Sequence, residues 1–203
     1  MRAGAAAGGG AIRTRILTGD AIAPLLDELA RLRITVFRDW PYLYDGDLDY
    51  EREYLQCCLT PGSVMVGAWD GATLVGAATG APMEDHAEEF APAFAHRPEK
   101  LHQIFYCAES VVLPQYRGKG LARAFFDGRE AHGRLLGRRF SAFCRVLRPE
   151  NHLLRPPGFQ PMDAFWQRRG YRPLPDVDAG FDWKDIGQNA PTRKRLQFWM
   201  RKL

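Results

Sequence analysis

The segment that most restricts what this chain can become is a strand, a proline, a glycine loop and a helix in direct succession: Glu109-Ser-Val-Val-Leu-Pro-Gln-Tyr-Arg-Gly-Lys-Gly-Leu-Ala122. His102 to Val112 (HQIFYCAESVV) is the strongest strand pattern present, and Leu113-Pro114 stops it because proline has no ladder N–H. A helix opening after Gly120 leaves its first backbone N–H groups without intrahelical partners, and its dipole favours negative charge there. Gly118 and Gly120 lack a Cβ, so a phosphate can approach those donors, while Arg117, Lys119 and Arg123 add positive potential. The segment predicts a diphosphate-sized anion resting on residues 117–122. It is not a P-loop, since GxxxxGK[ST] is absent, nor a dinucleotide GxGxxG, since position 123 is Arg123.

The remaining elements alternate in type. Ala11 to Leu17 reads as a short strand. Ile22, Leu25, Leu29, Leu32 and Val36 recur at helical spacing, with Asp20 as the expected cap and Trp40-Pro41 as the stop. Asp47 opens a second helix. Ser63 to Trp69 and Thr73 to Gly80 flank Asp70-Gly71-Ala72, a hairpin signal because glycine accepts the positive φ of a tight turn. Glu84 to His96 predicts a short acidic helix. The helix after the glycine loop runs to Leu136, with Leu121, Phe125, Gly128, His132 and Leu135 on one face and Gly137 as its end. Phe140 to Leu147 is a strand, Met162 to Arg169 a short helix, and Tyr171-Arg172 and Leu196 to Met200 belong to the last two strands. A mixed order containing a hairpin implies an α+β fold.

At 203 residues and 46% hydrophobic, the chain suits one domain over 11–203. Residues 1–10 are expected to form a disordered tail: only Ala and Gly separate Arg2 from Arg13, too little apolar character for a signal peptide. No apolar run approaches the roughly 18 residues of a membrane span, so a cytoplasmic location without membrane contact is expected. Cys57, Cys58, Cys107 and Cys144 show no C-x-x-C spacing, which predicts reduced thiols and no metal. The net charge of +4 is unevenly spread. Ten Arg or Lys between Arg117 and Arg155 face only Asp127, Glu130 and Glu150, whereas Asp39, Asp45, Asp47, Asp49, Glu51 and Glu53 oppose only Arg52. The basic stretch lacks a nucleic-acid-binding pattern, so no nucleic-acid partner is expected.

Arg117-Gly-Lys-Gly120-Leu-Ala122 reads R-x-x-G-x-A after a strand ending in Val-x-Pro, and Phe165-Trp-Gln-Arg-Arg-Gly170-Tyr-Arg-Pro follows a further strand. Together these resemble the acetyl-CoA loop of the GNAT superfamily of N-acetyltransferases and that family's FYxxxGF helix. The resemblance spans Ala11 to Leu203 and is weakest in the first third and from Arg148 to Pro161. It implies a mixed, mostly antiparallel sheet of six to seven strands, flanked by helices, whose central strands splay apart. It implies acetyl-CoA as co-substrate, an amine acceptor and no metal; homodimers are common in the family. Pantetheine would lie along Val111, Val112 and Leu113. Pyrophosphate would rest on the amides of Arg117, Gly118, Lys119, Gly120, Leu121 and Ala122, and the thioester would point between the splayed strands near Glu109 and Cys144.

Such enzymes usually transfer the acetyl group by direct attack of a neutral amine. An alkyl amine arrives protonated and needs a base. Glu109, a carboxylate in an apolar strand, is the candidate; the alternative is an ion pair with an arginine such as Arg145. His152 is a second candidate in the long loop. Where many members carry a tyrosine as acid to the leaving thiolate, this chain has Trp166, whose indole cannot supply a proton. Tyr171 or water would then protonate coenzyme A, or the thiolate leaves unassisted. Cys144 as a nucleophile is the less favoured reading of a buried strand thiol. The loop Asp39-Trp-Pro-Tyr-Leu-Tyr-Asp45 interleaves aromatics with carboxylates, so Trp40, Tyr42, Tyr44 and Asp45 are expected to receive a cationic amine. The alternative is that the acids cap a helix and the aromatics fill the core. A CoA-binding regulatory or sensor domain of the same fold competes with an N-acetyltransferase.

Overall fold

Seven strands form one sheet, and the computed structural model that shows it describes residues 11–203; the predicted tail, Met1–Gly10, lies outside the described residues. The strands are β1 (Arg13–Thr18), β2 (Val64–Asp70), β3 (Thr73–Pro82), β4 (Ile104–Val112), β5 (Phe140–Val146), β6 (Arg172–Trp183) and β7 (Thr192–Lys202). Their order is β1-β2-β3-β4-β5-β7-β6, and every neighbouring pair is antiparallel except β4 with β5. The helices are α1 (Leu26–Phe37), α2 (Leu48–Tyr54), α3 (Ala87–Phe94), α4 (Leu121–Leu135) and α5 (Asp163–Arg168).

Several elements form where local chemistry places them. Gly71 at φ 60° turns β2 into β3, Asp47 caps α2 by accepting from the Tyr50 amide at 2.9 Å, and Gly137 at φ 69° ends α4. Others differ from expectation. Asp20 does not cap the first helix: two 3-10 turns, Gly19–Ala21 and Ala23–Leu25, come first and α1 begins only at Leu26. Pro24 sits in the second of these turns and cannot donate to an α-helical ladder. Strand β6 reaches Trp183, far beyond the Tyr171-Arg172 start visible in sequence. Its prolines and Gly180 disguise it, and they are tolerated because β6 is the sheet's edge. Leu135, expected on the buried face of α4, is 85% exposed.

Helices cover both faces. On one face α1 packs Leu26, Leu29 and Leu32 over Met65, Ala77 and Val111, while α3 packs Phe90 and Phe94 over Tyr106, Phe198 and Met200. On the other, Phe125 of α4 lies among Val66, Val75 and Ala78, and Phe126 packs with Phe105, Phe143, Tyr171 and Trp199.

The feature that matters for function is the parting of β4 from β5. They pair only over Ile104–Tyr106 and Phe140–Ala142. Beyond that, β4 stays with β3 as far as Val112 and β5 stays with β7 as far as Val146, so a wedge opens between them. Ala78 faces Ser110 while Gly80 faces Cys107: two steps along β3 match three along β4, a β-bulge at Ala108-Glu109. A bulge bends its strand and leaves ladder groups unpaired. Buried Arg129 of α4 meets those groups, its Nη1 donating to Thr79 O at 3.1 Å and Glu109 O at 2.9 Å, and its Nη2 donating to Ser110 Oγ at 2.8 Å.

Candidate active site

After β4, Pro114–Tyr116 makes one 3-10 turn in which the Tyr116 amide donates to Leu113 O (2.9 Å) and the Arg117 amide to Pro114 O (3.2 Å). The backbone then enters the left-handed region at Gly118 (φ 75°) and Gly120 (φ 80°) before α4 begins. A Cβ at either glycine would meet open space, so the requirement for glycine lies in the angle rather than in room. Among the described residues, nothing accepts from the amides of Gly118, Lys119, Gly120, Leu121 or Ala122. Five consecutive donors at a helix N-terminus thus stand open, not the six expected, because the Arg117 amide closes the preceding turn. Lys119 lies 5.0 Å over the Tyr116 ring, and Tyr116 anchors the loop by donating to Asp70 at 2.8 Å. Arg117 pairs with Asp39 at 3.1 Å, and its Nε donates to Val112 O at 3.3 Å.

The end of β4 is more selective than the sequence suggests. The Leu113 amide donates to Val75 O at 3.0 Å. Antiparallel ladders alternate, so Val111 also turns its main-chain groups to β3 and Val112 turns its own to the wedge. Of Val111, Val112 and Leu113, only Val112 turns its main-chain groups to the wedge, where its carbonyl accepts from Arg117 Nε and an extended chain pairing there would take that contact's place.

At the bulge, Glu109 is 6% exposed and both carboxylate oxygens are engaged. Oε1 accepts from Thr79 Oγ1 at 2.8 Å and Oε2 lies 2.7 Å from Arg33 Nη1. The partner is Arg33 rather than Arg145, which instead pairs with Asp163. Arg33, buried in α1, also meets Glu51 of α2, Nε to Oε2 at 2.5 Å, and its guanidinium lies over the Phe37 and Tyr54 rings. Two carboxylates on one guanidinium leave this cluster one negative charge in excess. Sequence reasoning missed Arg33, Glu51 and Thr79. Two signals were available: Arg33 interrupts an apolar helical stripe one turn after Leu29, and Glu51 shares a face with Leu48 and Leu55.

The acceptor residues separate. Tyr42 packs against both apolar clusters that flank the wedge, and burial beside Cys144 pushes its hydroxyl up to about 12. Trp40 instead meets the long loop after β5, with ring centroids 5.1 Å from His152 and 6.1 Å from Phe159. Tyr44 bridges to Asp185. Asp45, expected to receive the amine, is paired with Lys184 at 2.8 Å and Arg38 at 3.3 Å, and their hydrogen bonds and charge keep it below the usual carboxylate range. Lys184 arrives through a tertiary contact, whereas Arg38 lies seven residues back at the end of α1. Asp39, Asp47 and Asp49 are likewise committed, to Arg117, the α2 cap and Arg52.

Tyr171 is corrected as an acid. It is fully buried on the α4 face, donates to Glu130 Oε1 at 3.1 Å and shares a 2.7 Å hydrogen bond with Ser141 Oγ; burial pushes its hydroxyl far up. Trp166 packs against Phe143 and Trp199. Cys144 is buried, and that burial pushes its thiol well up, against a thiolate nucleophile. All four cysteines are free, and no group of metal-binding side chains occurs among the described residues.

A family model described as "Acetyltransferase (GNAT) family" matches residues 29–152. Among solved structures, a ribosomal-protein-alanine N-acetyltransferase from Brucella melitensis superposes with a TM-score of 0.60 at 14% identity, covering 93% of this chain and 99% of its own. A GCN5-related N-acetyltransferase from Kribbella flavida gives 0.55 at 18% identity over 95% and 98%. The yncA protein of Salmonella typhimurium, solved with its cofactor acetyl-CoA, gives 0.54 at 13% over 96% and 95%. At these identities the likeness is one of fold. No curated protein matches the sequence.

Proposed function

The chain belongs to the acetyltransferase (GNAT) family, and on that premise we propose that it transfers an acetyl group from acetyl-CoA to a primary amine by direct attack in a ternary complex. The observation that carries this reading is the run of five unpartnered amides, Gly118 to Ala122, beside the stretch of β4 at Val112 that turns from β3 to the wedge. The amides suit a pyrophosphate at a helix N-terminus. The strand edge there suits an extended, amide-bearing arm that pairs with it as an added strand. The arm then runs into the wedge towards Glu109.

The acceptor is a cationic small molecule or a lysine or peptide amine. The acidic loop no longer supports that choice, since its carboxylates are spent within the chain. The support comes from the Glu51–Arg33–Glu109 cluster with its excess negative charge, and from Tyr42 and Tyr54 beside it. Glu109 takes the proton from the ammonium. The freed nitrogen attacks the thioester carbonyl, the C–N bond forms, the C–S bond breaks and coenzyme A leaves as thiolate, which takes up the second proton that the nitrogen sheds as the amide forms. A thiol of ordinary acidity, near 8.5, is a tolerable leaving group without an acid.

The test is release of free thiol from acetyl-CoA against a panel of polyamines, lysine peptides and peptides with free N-termini. Glu109→Gln should lower kcat by roughly 10²- to 10⁴-fold with acetyl-CoA binding retained. A variant as fast as the parent would remove Glu109 as the base. A second reading, a CoA-binding sensor domain, is favoured by the sequestered Tyr171 hydroxyl; it requires that the parent bind acetyl-CoA and release no thiol with any amine.

A further inference from the structure

Resting on Glu109 as the base, we propose that Arg33 and Glu51 are its positioning residues: Arg33 aims the carboxylate, and Glu51 draws off part of the guanidinium's charge so that Glu109 still takes a proton. The geometry is a chain of contacts from three elements, Glu51 of α2 to Arg33 of α1 to Glu109 of β4, with all three residues under 10% exposed. Arg33 reaches Glu109 through Nη1 and Glu51 through Nε, two different edges of one planar fork. Thr79 fixes the other Glu109 oxygen, and the bulge turns the side chain to this face of the sheet.

A structural ion pair would need one carboxylate, not two. Burying a second carboxylate costs desolvation that a neutral residue would avoid, the neighbouring Tyr44 hydroxyl notwithstanding. What the second carboxylate supplies is electrostatic. A lone guanidinium beside Glu109 would hold it firmly as the anion and make it reluctant to accept the acceptor's proton. Glu51, bearing on the same guanidinium, offsets that pull.

The other groups around Glu109 do not duplicate this role. Tyr54, Cys57 and Cys58 from the α2 side and His86 from the turn after β3 line the small cavity beside it. Tyr42 comes from the acceptor loop, and Cys144 stands across the wedge on β5. Arg129 of α4 reaches only the Glu109 carbonyl, not its carboxylate. Arg33 is therefore the one cation in contact with the carboxylate among the described residues.

The experiment uses Glu51→Gln, which keeps the shape and an acceptor oxygen but removes the charge, and Arg33→Lys, which keeps the charge but loses the fork. In protein carrying 13C-labelled glutamate, the Glu109 carboxyl resonance, assigned by its absence in Glu109→Gln, should titrate at lower pH in Glu51→Gln than in the parent. The acidic limb of the rate with the best amine of the panel should move the same way. With KM for acetyl-CoA within twofold, kcat at the plateau should fall about threefold, in the direction expected for a weaker base. In Arg33→Lys, which keeps the charge but loses the planar fork that holds the two carboxylates on different edges, kcat should fall about tenfold at unchanged acetyl-CoA KM. An unmoved Glu109 titration in Glu51→Gln, or a fully active Arg33→Lys, overturns the positioning role. A shifted titration together with an active Glu109→Gln overturns the base instead, so the two failures read differently.

Discussion

The Tyr171 hydroxyl, with no exposed surface, bridges Ser141 Oγ and Glu130 Oε1, and Glu130 also receives Arg169 at 2.9 Å and Arg201 at 3.3 Å. The oxygen therefore belongs to a buried polar network that joins α4 to β5 and β7. Tyr171→Phe removes the donor to Glu130 and the oxygen that pairs with the Ser141 hydroxyl, and an abandoned buried polar group costs about 1–3 kcal/mol. Urea unfolding should show that loss, while kcat changes by less than twofold. A variant of parental stability that has lost most of its turnover would restore Tyr171 as an acid.

At the scale of elements, the acceptor loop is tied to the far end of the sheet by Arg148, the second residue beyond β5. Its guanidinium contacts Asp185 at 2.7 and 2.9 Å and donates to Pro41 O at 2.8 Å and Tyr42 O at 2.7 Å. Lys194 of β7 adds a contact to Asp185 at 3.4 Å. Burial opposes charge on Asp185, but hydrogen bonds and charge from Arg148 outweigh it and hold the carboxyl below its ordinary value. A group lowered in the folded state contributes fully above its unfolded value of 3.8 and loses that contribution as pH falls through its folded value. Asp185→Asn should thus lower stability by about 3–5 kcal/mol at neutral pH, because Arg148 and Lys194 keep buried charges with no carboxylate opposite them. Denaturant titrations at pH 7 and pH 3 should show the gap between parent and variant narrowing in acid. A gap that widens in acid would contradict the sign.

For the molecule as a whole, the wedge divides the sheet into β1-β2-β3-β4 and β5-β7-β6, joined directly by only three paired positions. A ligand seated on the amides of Gly118–Ala122 and paired along Val112 would bind only the folded state. At a hundred times its Kd it should add about 2.7 kcal/mol. For a chain of this size that corresponds to a Tm rise of roughly 5–10 °C. Differential scanning fluorimetry with acetyl-CoA, coenzyme A and longer acyl-CoAs measures it, and no shift with any of them would contradict the proposed site.

The parts legible in the sequence are those set within a few residues. The β2–β3 turn at Asp70-Gly71, the Asp47 cap, the proline stop after β4 and the Gly118/Gly120 loop each depend on backbone angles or caps that neighbouring residues impose. The loop carried the family resemblance with it. Only the tertiary structure decided which carboxylates remain available. Asp45 is held by Lys184, Glu109 by Arg33, and Tyr171 is claimed by Glu130. Such pairings join residues far apart along the chain, and the energy of a charge depends on the dielectric and partners it meets in space. A string of residues specifies its own turns and caps locally; what a buried charge can do is decided by whatever the completed fold sets against it.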